Sequence, residues 1–188
     1  RSASGKKRAK EFMQLWENEQ VKLILYAAGG DFLIEMLDEL DWDKLKTSKP
    51  KWTQGFSDIT TISFLLNTRL EIPSVYCENA KEYAMKPLYP NLINALEIMS
   101  GKQVIQTSFE KYEVEREEST NPEKGYNLTK KVEWKNIVGG EKIQMQGRAL
   151  GGCLDCIRNF FGTQYDFIQS YIEKYKQDGI LWFLECYE

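Results

Sequence analysis

The sequence predicts an α/β fold in two parts, a partial N-terminal parallel-sheet α/β domain linked to part of a second, C-terminal α/β domain. Three observations lead there. Helical and extended patterns alternate through residue 70. Two apolar runs each end in a glycine-containing turn that opens directly into a helical pattern. A charge-rich, aliphatic-poor stretch over 110–131 then precedes a further strand, helix, helix and strand. The expected division is 1–101 for the first domain, 102–135 for an extended linker with an exposed loop, and 136–188 for the start of the second.

In chain order, Lys6–Glu17 place Ala9, Phe12, Met13, Leu15 and Trp16 on one helical face, with Ser4 or Gly5 as the cap. Val21–Ala28 reads as a buried strand ended by Gly29-Gly30, and Asp31 opens an amphipathic helix with Phe32, Leu33, Met36, Leu37 and Leu40 on its apolar face. A loop over Asp41–Pro50 leads to the half-apolar run from Lys51 to Gly55, a sharp turn at Phe56-Ser57-Asp58, and the helix Ile59–Asn67. Pro73–Cys77 is the next strand, and Asn91–Met99 a helix closed by Gly101. Gln103–Glu115 and Lys130–Asn136 are extended segments around an exposed loop with turn signals at Asn121-Pro122 and Lys124-Gly125. Lys142–Leu150 is a strand leading into Gly151-Gly152, after which Cys153, Leu154, Ile157, Phe160 and Phe161 form a short helical face ended by Gly162-Thr163. Tyr165–Lys176 is an amphipathic helix, and Asp178-Gly179 turns into the strand Ile180–Leu184 with Glu185 at its carboxyl end.

Composition bounds the functions open to such a chain. Its 188 residues are 42% hydrophobic and 28% charged, a globular balance. No apolar run approaches the roughly 20 residues of a membrane span, and no charged-then-apolar leader opens the chain, so a cytoplasmic protein without a membrane partner is expected. A net charge of -3 gives no electrostatic footing for nucleic acid, and Arg1, Lys6, Lys7, Arg8 and Lys10 read as a solvated helix face.

Four positions carry candidate chemistry. Ser57 follows Gly55-Phe56 at a strand-to-helix turn, which is either a nucleophile elbow that lifts one hydroxyl clear of the backbone or a helix cap at Ser57 or Asp58. The Gly29-Gly30 turn either aims backbone N–H groups at an anion or serves as an ordinary tight turn. Glu185 lies at the carboxyl end of a strand, where ligands of open α/β sheets gather and where charges also serve solubility. Trp134 either lines a ligand cleft or covers a surface between domains. Cys153-x-x-Cys156 has neither a second pair nor any histidine to complete a metal shell, so Cys77, Cys153, Cys156 and Cys186 are expected to be buried free thiols and no metal is assigned. The histidine count of zero means that these residues alone cannot assemble a Ser-His-acid triad.

Three stretches together carry a family resemblance. GGDFLIEMLDELDWDKLKTSKPKWTQGFSDIT resembles the Gly-Gly, Leu-Asp-x-Asp and Gly-Tyr-Ser-Asp series of the LD-carboxypeptidase family of serine peptidases, which includes muramoyltetrapeptide carboxypeptidases and microcin C immunity peptidases. GRALGGCLDCIRNFFGTQYD is similar to the family's Gly-Arg-x-x-Gly-Gly-Asn-Leu and Gly-Thr-x-Tyr signature, and ILWFLECYE to its Ile-Leu-Phe-Leu-Glu-Asp strand. The resemblance implies a Ser-Glu-His triad with Ser57 as nucleophile, Glu185 as the acid, and an oxyanion site made by the Asp58 N–H and the Gly29-Gly30 turn. It implies a small peptide or muropeptide substrate, no cofactor, and is compatible with a homodimer. A self-immunity peptidase acting on peptidyl nucleotides, with Trp134 stacking on a base, and a catalytically silent binding module on the same fold are the alternatives. The sequence departs from the pattern at Phe56, Cys153 and Cys186, where the family has Tyr, Asn and Asp. The chain is expected to be an internal piece of a longer enzyme, inactive alone, with the histidine downstream and the family's opening strand missing before Arg1.

Overall fold

The computed structural model describes residues 3–115, 120–140 and 142–186. Two compact units divide them. One is built of the residues up to Ala80 together with those from Gln146 onward, and the other of Lys81–Met145.

The first unit begins with helix α1 (Gly5–Glu17), whose Ser4 side chain accepts a hydrogen bond from the Lys7 N–H. Ala9, Phe12, Met13 and Trp16 are its buried stripe, while Leu15 is 44% exposed and so stands off the expected face. Strands β1 (Leu23–Leu25), β2 (Trp52–Gly55) and β3 (Val75–Tyr76) form a parallel sheet in sequence order, with Leu23 opposite Trp52 and Gly55 opposite Tyr76. The expected strand over Val21–Ala28 contracts to Leu23–Leu25, the three residues that pair with Trp52, Thr53 and Gln54 of β2. The helix expected from Asp31 is a 3-10 helix over Leu33–Glu39, burying Leu33, Met36 and Leu37 but leaving Phe32 42% exposed. Arg8 ties it to α1 through the Phe32 carbonyl and the Glu35 carboxylate, both at 2.8 Å.

The expected loop Asp41–Pro50 instead contains helix α2 (Trp42–Thr47). Asp41 caps it by accepting from the Lys44 N–H at 3.0 Å, and Trp42 and Leu45 are buried one turn apart. The Trp42 indole N–H donates to the Leu37 carbonyl, which anchors so short a helix.

Helix α3 (Thr60–Leu70) is buried at eight of its positions and therefore sits centrally rather than presenting one stripe. Sheet residues pack on it together with β6 (Arg148–Cys153), α5 (Leu154–Ile157) and α6 (Ile168–Tyr175). Phe64 of α3 stacks on Phe160 with ring centroids 5.9 Å apart, whereas Phe161 points out at 57% exposure, a correction to its expected place in the apolar face. The α3 terminus turns left-handed at Glu71, φ 61°, whose carboxylate accepts from the Tyr175 hydroxyl at 2.6 Å and from the Lys174 ammonium.

Strand β6 pairs in parallel with β7 (Ile180–Glu185), so Cys153 stands opposite Glu185. The strand runs through Gly151-Gly152 rather than ending before them. The reason is close approach: a Cβ on Gly151 would stand 1.7 Å from the Phe183 carbonyl oxygen, and Gly152 has φ 132°, which L side chains rarely adopt.

In the second unit, Pro90 opens α4 (Pro90–Met99), which ends at Ser100 and Gly101 as expected. The extended segments shorten to an antiparallel pair, β4 (Lys111–Tyr112) and β5 (Lys130–Lys131). Tyr89 organises the neighbourhood: its ring meets Tyr126 at 5.1 Å and Phe109 at 6.2 Å, and its hydroxyl accepts from the Tyr126 N–H. Part of the expected exposed loop, residues 116–119, and Arg1 of the basic cluster lie outside the described residues.

Phe160 is fully buried at the junction of α3 with the segment after α5. Phe160→Ala is expected to cost about 3–5 kcal/mol, read as a lower urea midpoint with an unchanged slope.

Candidate active site

Strand β2 ends at Gly55, Phe56 is still extended, and Ser57 then takes φ 65° before a 3-10 turn over Ser57–Ile59 runs into α3. A left-handed conformation costs a non-glycine residue about 1–2 kcal/mol, so neighbouring groups must hold it. The Ser57 N–H donates to the Tyr76 hydroxyl at 3.2 Å, the Phe56 N–H to Asn79 Oδ1 at 3.4 Å, and the Cys156 thiol to the Ser57 carbonyl at 3.7 Å. Neither the 3-10 turn nor α3 has a side-chain cap at its start, so the expected capping by Ser57 or Asp58 is not what is found.

Gly29 and Gly30 lie against this turn. A Cβ on Gly29 would stand 3.0 Å from both Cβ and Oγ of Ser57, and one on Gly30 3.5 Å from Asp58 Oδ2. A side chain at residue 29 would therefore crowd the hydroxyl. The Asp58 carboxylate fixes the segment after the glycines: Oδ2 accepts from the Leu33 N–H at 2.9 Å and Oδ1 from the Thr61 hydroxyl at 3.3 Å. Burial raises the Asp58 carboxyl above its ordinary pKa, and these hydrogen bonds oppose that shift.

Glu185 reaches the same region from the end of β7. Its Oε1 accepts from the Tyr76 hydroxyl at 2.6 Å, and the Tyr76 ring lies 5.4 Å from that of Phe183. Ser57, Asp58, Gly29, Gly30 and Glu185 are thus gathered at the carboxyl ends of parallel strands. Trp134 belongs to the other unit, where it is 82% exposed and its indole N–H donates to Ser108 Oγ at 2.7 Å.

Three contributors were not singled out in the sequence. Tyr76 joins Ser57 to Glu185, Asn79 holds the Phe56 N–H, and the Thr60 hydroxyl accepts from the Cys153 N–H at 3.0 Å. Their polar groups act across β-strand and helix pairings that no local pattern encodes. All four cysteines are free thiols, but only Cys153 is buried; Cys77 and Cys156 are half-buried and Cys186 is exposed, which corrects the expectation of four buried thiols. Burial pushes the Cys77 thiol up to about 11, and burial followed by the neighbouring Cys153 raises Cys156, so both stay protonated. Among the described residues no group of three or more His, Cys, Asp or Glu side chains is placed to hold a metal.

A serine on a strained turn between a parallel strand and a helix, beside a glycine turn, is the architecture of α/β hydrolytic proteins. Residues 1–77 match the LD-carboxypeptidase N-terminal domain. The microcin C7 self-immunity protein MccF of Escherichia coli is 27% identical over 176 residues, covering 88% of this chain and 49% of that protein. A Treponema pallidum protein named provisionally as a carboxypeptidase is 25% identical over 174 residues, covering 88% of this chain and 48% of its own. The solved structure of microcin C7 self-immunity protein MccF with aspartyl sulfamoyl adenosine matches with a TM-score of 0.68 at 26% identity, over 88% of this chain and 50% of that one. An MccF-like protein from Streptococcus pneumoniae, solved in complex with AMP, shares the fold with a TM-score of 0.66 at 24% identity, over 97% and 57% of the two chains. Over residues 1–77 the chain is similar to the N-terminal domain of LD-carboxypeptidases, and it spans about half the length of the relatives that match most of it.

Two outcomes test the geometry. Ser57→Gly, which relieves the left-handed strain, is expected to be more stable than Ser57→Ala by about 1 kcal/mol in urea unfolding. For Asp58, a folded pKa above the unfolded value means that its favourable contribution is complete at acid pH and is lost as pH rises through the folded value. Relative to Asp58→Asn, which keeps an oxygen for the Leu33 N–H, the wild type is expected to lose stability from acid to neutral pH. Urea curves at both ends of that range measure the difference.

Proposed function

We propose that the chain supplies the nucleophile, the acid and the oxyanion turn of a serine carboxypeptidase that hydrolyses an L,D-peptide bond in cell-wall-derived muropeptides. The observation that carries this reading is the left-handed Ser57 at the end of β2, with Gly29 against its hydroxyl. In the proposed reaction Ser57 Oγ attacks the carbonyl carbon while a histidine takes its proton, and Glu185 holds the imidazolium that forms. The same proton passes to the departing amine as the C–N bond breaks, and water then cleaves the acyl ester and restores the hydroxyl. The Asp58 N–H and the Gly29-Gly30 turn would receive the oxyanion, a role whose loss costs about 10²–10³ in turnover. No cofactor enters these steps.

The chain has no histidine, so the base is proposed to come from outside these 188 residues and the chain alone is proposed to be inactive. In the same reading, 1–101 and 136–188 belong to two domains joined through 102–135, in a cytoplasmic protein that assembles as a homodimer. Among the described residues no helix is long and apolar enough to cross a membrane.

A second substrate class is favoured by the relatives. The microcin self-immunity protein and a protein named as a carboxypeptidase each match over 88% of the chain, and the former was solved with an aminoacyl sulfamoyl nucleoside. Cleavage of a peptidyl nucleotide, with the exposed Trp134 stacking on the base, is the alternative. A catalytically silent binding module is the third reading, and it rests on the absence of histidine.

The test compares release of D-alanine from a muramoyl tetrapeptide with hydrolysis of a peptidyl-adenylate analogue, using protein that includes the histidine-bearing region. Ser57→Ala is expected to abolish whichever activity is present, at least about 10³-fold. Hydrolysis that survives this substitution, or absence of both activities in the wild type, overturns the peptidase reading. Trp134→Ala separates the substrates: it is expected to raise KM for the nucleotide several-fold and to leave the tetrapeptide unaffected.

A further inference from the structure

The hydrogen bonds around Tyr76 assign it a definite job. Its phenolic oxygen accepts the Ser57 N–H at 3.2 Å, and its proton is donated to Glu185 Oε1 at 2.6 Å, a short charge-assisted bond. One hydroxyl therefore serves both groups, accepting on one side and donating on the other. The ring is fixed as well, 5.4 Å from Phe183 on the strand that ends in Glu185, while Gly152 leaves room beside it: a Cβ there would meet the Tyr76 ring at 3.2 Å.

We propose that Tyr76 is a positioning residue that couples the nucleophile turn to the acid, its hydroxyl holding the Ser57 backbone on one side and one oxygen of Glu185 on the other. The inference rests on the serine peptidase reading above and adds two things to it. Glu185 meets the base through its remaining oxygen, in an orientation set by a residue of β3 rather than by β7 alone. The Ser57 N–H is committed to Tyr76, which leaves oxyanion binding to the Asp58 N–H and the glycine turn.

Two measurements test this and separate its failure from failure of the peptidase reading. In the first, the phenol of Tyr76 is titrated by NMR with 13Cζ-labelled tyrosine, in the wild type and in Glu185→Gln. Burial, then the bond to Glu185, holds the phenol above its ordinary range. Removing the charge is expected to bring ionisation to lower pH, and an unchanged titration overturns the proposal whatever the enzyme hydrolyses. In the second, Tyr76→Phe, which keeps the ring against Phe183, is assayed on whichever substrate the wild type cleaves. The expected result is a kcat lower by about 10–100-fold with KM within about twofold, and an acid limb of the kcat/KM profile displaced along the pH axis. Wild-type kcat and pH profile in a folded Tyr76→Phe overturn the coupling. If the wild type cleaves neither substrate, the peptidase reading falls and the phenol titration alone decides whether Tyr76 holds Glu185.

Discussion

The left-handed backbone at Ser57 is the constraint on which the rest of the first unit depends. A serine does not adopt φ 65° for its own benefit, so the surrounding structure has to overdetermine it. It does so from three directions: Tyr76 and Asn79 take the N–H groups of Ser57 and Phe56, the Cys156 thiol meets the Ser57 carbonyl, and the largely buried helix α3 fixes the exit of the chain. Each partner comes from a different element, and these elements reach the turn only when the parallel pairings β2 to β3 and β6 to β7 are in register.

Asp58 links that strain to the neighbouring turn. Its carboxylate takes the N–H of Leu33, at the start of the 3-10 helix that follows Gly29-Gly30. A buried carboxylate is costly to ionise, and the bonds it accepts recover part of that cost. The proposed oxyanion turn and the proposed nucleophile are consequently one mechanical body. Displacing either segment leaves backbone donors or a buried carboxylate without partners, and such a loss usually exceeds that of a surface contact.

What was legible in the sequence was local. Ser4 capping α1, the glycine pair after β1, the strand-to-helix turn at Ser57, Gly101 after α4 and the carboxylate ending β7 are each encoded within a few residues. The elements that departed from expectation were decided by partners far along the chain. β1 is held to the three residues that pair with Trp52, Thr53 and Gln54, and β6 continues through two glycines because Phe183 leaves no room for a side chain; helix α2 is the local exception, anchored where the Trp42 indole meets the Leu37 carbonyl five residues back. Tyr76 escaped notice for the same reason. In the run Ser74-Val75-Tyr76-Cys77 it is an ordinary strand aromatic, and only the pairing with β2 and the 109-residue separation from Glu185 give its hydroxyl two partners.

Gly151 shows how such spacing is set by atoms that are absent. Its bare backbone lets the Phe183 carbonyl come closer than any Cβ would permit, and two residues further along the same paired strands stand Cys153 and Glu185. One methyl group on Gly151 would wedge the strands apart near their carboxyl ends and carry Glu185 away from Tyr76. The distance between the segments that carry Glu185 and Ser57 is thus gauged by a hydrogen atom, at a position that has no functional group of its own.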